Sequence, residues 1–216
     1  MPRKKLTLTN HYPYHITARS NNREWFALEP AECWEIFSDY LFFANRAYSL
    51  QIHGFVLMPN HFHLIASTPR NYLPEIMNRF MTEVSFAINN RAHRENHVFG
   101  GRYHATLIDH PYYFANAIKY VFRNPIPVGL DDRVESYPWS SLGRSLGKGN
   151  LYFPISDFTP FDGILPQEIE KRLAWFNEDF KMKRQEAIKK AFRKTIFIVA
   201  KKRAVSPNSD LKTSLC

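Results

Sequence analysis

Ile52-His53-Gly54-Phe55-Val56-Leu57-Met58-Pro59-Asn60-His61-Phe62-His63-Leu64-Ile65-Ala66-Ser67 is the stretch that decides the fold. Two apolar runs, Ile52 to Met58 and His61 to Ser67, flank Pro59-Asn60, a turn-forming pair. The pattern predicts two strands joined as a hairpin. Strand side chains alternate between faces. Phe62 and Leu64 therefore project from one face, His61 and His63 from the other.

The flanking sequence completes the pattern. Tyr12, Tyr14, Ile16 and Ala18 alternate against Pro13, His15, Thr17 and Arg19, which predicts an earlier strand. Asn21-Asn22 marks a turn. Pro30 suits the first position of a helix, where its missing N–H costs nothing. From there Trp34, Phe37, Leu41, Ala44 and Tyr48 keep helical spacing. Pro74 opens another helix, with Ile76, Phe80, Val84 and Ala87 or Ile88 on its buried face. Gly100-Gly101 breaks the chain. Tyr103 to Asp109 predicts a fourth strand, and Asp109 is placed to cap a helix starting near Pro111. That helix is expected to stop at Asn124, because Pro125 disfavours helical geometry in the residue before it.

Strand, helix, strand, strand, helix, strand is the order of a ferredoxin-like (RRM-like) α+β fold. Two helices are expected on one face of a mostly antiparallel sheet. The face with His61 and His63 is left for a later helix or a ligand. Residues 131–160 read as irregular, with Tyr137-Pro138-Trp139-Ser140-Ser141 packing back on the domain. From Pro166 a helical pattern runs through Ile169, Leu173, Phe176 and Phe180. It continues through Ile188, Phe192, Ile196 and Val199. Ala204 onward reads as a frayed tail. The expected division is a domain over residues 1–150 and a basic, mostly helical extension over 151–216.

The chain has 216 residues, 44% hydrophobic and 15% aromatic, enough for a real core. With Cys33 and Cys216 as its only cysteines there is no disulfide framework, so a reducing compartment is expected. The N-terminal Met-Pro-Arg-Lys-Lys lacks a signal-peptide core, and no segment approaches the ~18–20 apolar residues of a membrane span. A cytoplasmic, nucleoid-associated protein is expected, with no membrane partner. The net charge is +9. Residues 171–203 hold twelve Lys/Arg and three Asp/Glu, which is the whole excess, while residues 1–170 hold sixteen of each sign. So concentrated a charge, with Lys189, Lys190, Arg193 and Lys194 among its basic residues, suits a polyanion such as the DNA backbone; a solvated basic helix is the plainer alternative.

Two imidazoles on one strand face are half of a metal site, although histidines there are often ordinary polar residues. Tyr120 and Asn124 lie four apart on a later helix, on one face and one turn apart. An amide oxygen such as that of Asn124 suits a divalent ion, Mg²⁺ or Mn²⁺, beside His61 and His63. The Tyr120 phenol would then stand next to a polarised phosphate and could attack it as a nucleophile. Tyr112 and Tyr113 on the same helix are rival nucleophiles.

Leu57-Met58-Pro59-Asn60-His61-Phe62-His63-Leu64 resembles the HUH motif of single-tyrosine transposases, where U is a bulky apolar residue. Ile118-Lys119-Tyr120-Val121-Phe122-Arg123-Asn124-Pro125 resembles their catalytic tyrosine helix. Further matches are His15-Ile16-Thr17 through Asn21-Asn22-Arg23, Gly101-Arg102-Tyr103, and Tyr137-Pro138-Trp139-Ser140-Ser141. They cover about residues 2–145 in order and resemble the REP-associated tyrosine transposases. The resemblance implies a metal-dependent strand transferase acting on hairpin-bearing single-stranded DNA, as a monomer or homodimer. It implies His61, His63 and Asn124 as ligands and Tyr120 as the nucleophile that takes the 5′ phosphate, with its helix over the open sheet face. Arg19, Arg23, Arg102, Lys119 and Arg123 are expected to contact DNA. Ser20 stands where many relatives have Gly. Pro127 stands where they commonly have Arg, which removes a phosphate contact. The other readings are a hairpin-binding module for DNA or RNA without catalysis, and a metal phosphodiesterase using water.

Overall fold

In this computed structural model residues 6–70, 72–157 and 159–198 are described. Among them the elements run β1 (Tyr14–Arg19), α1 (Pro30–Tyr48), β2 (Gln51–Met58), β3 (His61–Ser67), α2 (Leu73–Arg91), β4 (His104–Leu107) and α3 (Pro111–Arg123). Three helices follow: α4 (Ser141–Ser145), α5 (Ile169–Asn177) and α6 (Met182–Ala191). The strands form one antiparallel sheet in the order β2-β3-β1-β4, the ferredoxin-like arrangement.

Both faces of the sheet are covered. On one face Tyr14, Ile16, Phe55, Phe62 and Leu64 pack against α1 and α2. Phe37 of α1 is fully buried there, its ring 5.7–6.4 Å from those of Phe55, Phe62, Phe80 and Phe99. On the other face Val56 and Ile65 pack with Phe114, Ile118, Val121 and Phe122 of α3. Trp175, Phe176, Ile188 and Phe192 of the C-terminal segment join that second cluster.

Both sheet edges are also occupied. Along β2, Leu57 N–H donates to the Trp139 carbonyl at 2.9 Å and Phe55 N–H to Ser141 Oγ at 2.9 Å. Tyr137 Oη donates to the Leu57 carbonyl at 2.9 Å, so the Tyr137–Ser141 stretch does pack back. Along β4, Leu107 N–H donates to the Thr195 carbonyl and Phe197 N–H to the Leu107 carbonyl, both at 2.8 Å.

Two local expectations change. His110 caps α3 in place of Asp109, its Nδ1 accepting from Tyr112 N–H at 3.2 Å. The helical pattern through Ile188 ends at Ala191, because the edge of β4 draws Thr195–Phe197 into strand pairing. Val199 and the tail from Ala204 lie outside the described residues.

α3 lies close on the sheet at Gly54, beside an irregularity in the β2–β3 register. A Cβ there would fall 2.5 Å from Ile118 Cδ1 and 3.1 Å from Phe122 Cζ. Gly54→Ala is expected to lower stability by about 1–3 kcal/mol through overpacking. Adding Ile118→Val, which removes Cδ1, is expected to recover part of the loss. Urea unfolding of the two variants measures this, and an unperturbed Gly54→Ala protein would refute the tight approach.

Candidate active site

The β3 strand presents His61 and His63 to the face that α3 covers. Their rings lie 5.0 Å apart, centroid to centroid. Register sets Arg19 beside His61 and Thr17 beside His63 across β1. His61 Nδ1 lies 2.7 Å from Asn60 Oδ1. The Asn60 amide is itself oriented by Nδ2 donating to the Arg23 carbonyl at 2.8 Å. An amide oxygen only accepts, so His61 carries its proton on Nδ1 and leaves Nε2 bare. His63 Nδ1 lies 2.8 Å from Nε2 of His15, a buried contact, and His63 Nε2 is buried with no partner of hydrogen-bond geometry.

Burial pushes the His61 imidazole down to about 4, and the Arg19 charge adds to the effect. Burial likewise holds His63 well below the usual histidine range, with His15, His61 and Arg19 acting the same way. The Asn124 side chain is near enough to His63 to offset a small part of this. His15 is driven to about 3, again mainly by burial. All three rings are neutral at pH 7, the form in which imidazole binds a cation.

Tyr120 on α3 meets His63 edge-on, with centroids 6.1 Å apart and planes at 89°. Asn124 ends the same helix, and its Nδ2 donates to the Tyr120 carbonyl at 2.9 Å. That bond engages the amide nitrogen and leaves the amide oxygen available. Burial raises the Tyr120 pKa, while Arg19 and Arg193 pull it down. Tyr112 and Tyr113 sit at the other end of α3 beside His110, roughly 10–12 Å along the axis from Tyr120.

The donor set suits a divalent cation: two imidazole nitrogens and an amide oxygen, with one nitrogen buried and unpartnered. Among the described residues no group of three His, Cys, Asp or Glu side chains could hold a metal ion. The amide and the solvent-facing positions would have to complete such a site.

The arginines and lysines divide into two groups. Arg19, Arg23 and Arg102 are exposed and line one shallow pocket with Ser20, Asn22 and Gly101. Lys189, Lys190, Arg193 and Lys194 are also exposed. Lys119 and Arg123, expected to contact DNA, are buried instead. The Lys119 ammonium lies over Trp175 at 4.6 Å and Phe180 at 5.1 Å and 3.8 Å from a Glu178 carboxylate oxygen. Arg123 donates to the Phe176 and Asn177 carbonyls and pairs with Asp179. Both cations fasten α5 to α3, because the C-terminal segment returns across this helix.

Sequence reading missed His15 and Phe192 as members of the site. His15 alternates onto the face of His63, but only the pairing of β1 with β3 shows that they touch. The Phe192 ring lies 4.9 Å from Tyr120 and 4.1 Å from His15, a contact across 72 residues for Tyr120 that no local pattern marks.

The sequence model of the family described as transposase IS200-like matches residues 8–124. A Haemophilus influenzae protein that carries the name REP-associated tyrosine transposase is 26% identical over 116 residues. That match spans 49% of this chain and 65% of the relative, less than two thirds of its length. The solved structure of a REP-associated tyrosine transposase bound to a REP hairpin superposes with a TM-score of 0.57 at 18% identity. It covers 75% of this chain and 96% of the solved one, a likeness of fold.

The buried imidazoles make stability depend on pH. Their folded pKa values are depressed, so the unfolded chain binds more protons as the pH falls below about 6.5. Stability is full above that value and is lost as the pH falls through 4, by about 3 kcal/mol for His61 alone. Urea midpoints at pH 7 and about pH 4.5 are expected to fall less in His61→Gln than in the wild type. Equal falls would show that His61 titrates alike in both states.

Proposed function

The chain belongs to the IS200-like transposase family, and from that premise we propose that it cuts and rejoins single-stranded DNA beside hairpins through Tyr120. The observation that carries this reading is the meeting of Tyr120 and Asn124 with His61 and His63 on one sheet face. The hairpin in the solved relative and the name of the Haemophilus protein support the choice of substrate.

Tyr120 Oη attacks the phosphorus of the scissile phosphodiester. The Oη–P bond forms as the P–O3′ bond breaks, the phenolic proton passes to solvent, and the leaving oxygen ends as a 3′-OH. The 5′ phosphate stays on Tyr120 with its bond energy conserved, so a returning 3′-OH rejoins the strand without ATP. His61 Nε2, His63 Nε2 and the Asn124 oxygen would hold Mg²⁺ or Mn²⁺, which polarises the phosphate and offsets its developing charge. Arg19 and Arg193 favour the ionised phenol against burial. Arg19, Arg23 and Arg102 bind strand phosphates, and Lys189, Lys190, Arg193 and Lys194 add backbone contacts. In this reading residues 1–150 are the catalytic unit and 151–216 the extension. The protein works in the cytoplasm at the nucleoid, as a monomer or homodimer. Among the described residues no helix is long and apolar enough to cross a membrane.

A second reading, a hairpin-binding protein that no longer cuts, is favoured by the Phe192 ring packed on Tyr120.

Incubation with hairpin-bearing single-stranded DNA and Mn²⁺, followed by a denaturing gel, is expected to give a covalent adduct. Tyr120→Phe is expected to abolish it, and His61→Ala or His63→Ala to lose it with the fold retained. An adduct that persists in Tyr120→Phe refutes the nucleophile. Cleavage without an adduct implicates water, and binding without cleavage supports the second reading.

Deleting residues 166–216 would remove Trp175, Phe176, Ile188 and Phe192 from the core, so charge is tested by substitution. Changing Lys189, Lys190, Arg193 and Lys194 together to Gln is expected to flatten the salt dependence of DNA binding. An unchanged slope reduces the segment to a solvated surface.

A further inference from the structure

His15 is the second residue of β1, paired with Ile65 of β3 and Thr106 of β4. Its side chain is buried on the face of His63, with the two rings stacked at 21° and centroids 5.1 Å apart. Nε2 of His15 and Nδ1 of His63 face each other at 2.8 Å. A bond between two neutral imidazoles needs one of those nitrogens protonated and the other bare.

The two arrangements differ in what they leave behind. If His15 donates, the only proton of His63 is on Nε2. That N–H would have only the nearby Asn124 amide oxygen to turn to, with no bond of good geometry formed, and it could not bind a cation. If His63 donates, its Nε2 is a bare lone pair, like Nε2 of His61. Each arrangement leaves two buried ring nitrogens unpartnered, His63 Nε2 and His15 Nδ1. Only the second puts the bare nitrogen on His63, the ring that meets Tyr120 and Asn124.

We propose that His15 is a positioning residue that accepts the Nδ1 proton of His63 and so holds Nε2 of His63 as a metal-binding lone pair. This rests on the metal reading of the site given above. Both candidate ligands are then held alike, each donating from Nδ1 to a fixed acceptor: Asn60 Oδ1 for His61 and His15 Nε2 for His63. Such partners fix ring orientation and tautomer, and their loss typically costs about 10–100-fold in metal affinity. The Phe192 ring, 4.1 Å from His15 by centroids, packs against the imidazole and holds it in place.

Two measurements on the full chain test this. Long-range ¹⁵N–¹H NMR correlation at pH 7 reads the tautomer of each neutral histidine without metal. Electron paramagnetic resonance of free Mn²⁺ reads affinity without any DNA or turnover. The wild type is expected to show His63 protonated on Nδ1. His15→Leu is expected to shift His63 toward the Nε2–H form and weaken Mn²⁺ binding at least tenfold. His15→Gln, whose side-chain oxygen can accept the same proton, is expected to restore most of the affinity. Circular dichroism checks that each variant keeps the fold. Should the leucine variant fail to fold, the wild-type tautomer and the glutamine variant still decide. An Nε2–H tautomer in the wild type, or unchanged Mn²⁺ affinity in a folded His15→Leu, overturns the role of His15. Absence of Mn²⁺ binding by the wild type overturns the metal reading itself, while the tautomer still reports the direction of the His15–His63 bond.

Discussion

The site depends on how closely α3 can lie on the sheet. That distance is set at Gly54, where a missing side chain admits Ile118 and Phe122. With α3 seated, Tyr120 reaches the edge of the His63 ring and Asn124 comes within reach of the same imidazole. The helix is amphipathic, with six apolar residues among its nine buried ones, so hydrophobic burial supplies much of the force for docking. The placement of Tyr120 is thus tied to a packing contact made by the residues two positions to either side of it, Ile118 and Phe122.

The C-terminal segment holds this arrangement from above. Trp175 and Phe176 extend the second cluster, and Lys119 and Arg123 tie α5 to the outer side of α3. Burying two cations is costly unless they are paired. Glu178 and Asp179, carbonyl oxygens and aromatic faces provide that compensation. The strongly basic stretch is therefore mixed in purpose. Its apolar residues complete a core, and Lys189, Lys190, Arg193 and Lys194 are exposed at its surface.

Much of the fold was legible because its signals are local. Alternation in β1 and β3, the Pro-Asn turn, and prolines at the starts of α1, α2 and α3 fixed type and order to within a few residues. The same alternation put His61 and His63 on one face, and helical spacing put Tyr120 and Asn124 on another element's common face. Long-range features were not legible. Lys119 and Arg123 looked like surface cations because nothing nearby in sequence announces Glu178 and Asp179. His15 carried no mark beyond its strand position. The hydrogen-bonding need of Leu107 overrode a helical pattern at Ile196, a competition visible only once β4 has an edge.

The coverage of both sheet edges bears on how copies of the chain could meet. The N–H groups of Phe55, Leu57 and Leu107 already have partners within the same chain. A second molecule therefore finds no long row of unpaired backbone groups on which to add a strand. Among the described residues a homodimer would then be built from side chains on helix or loop surfaces, and the sheet is protected against edge-to-edge aggregation.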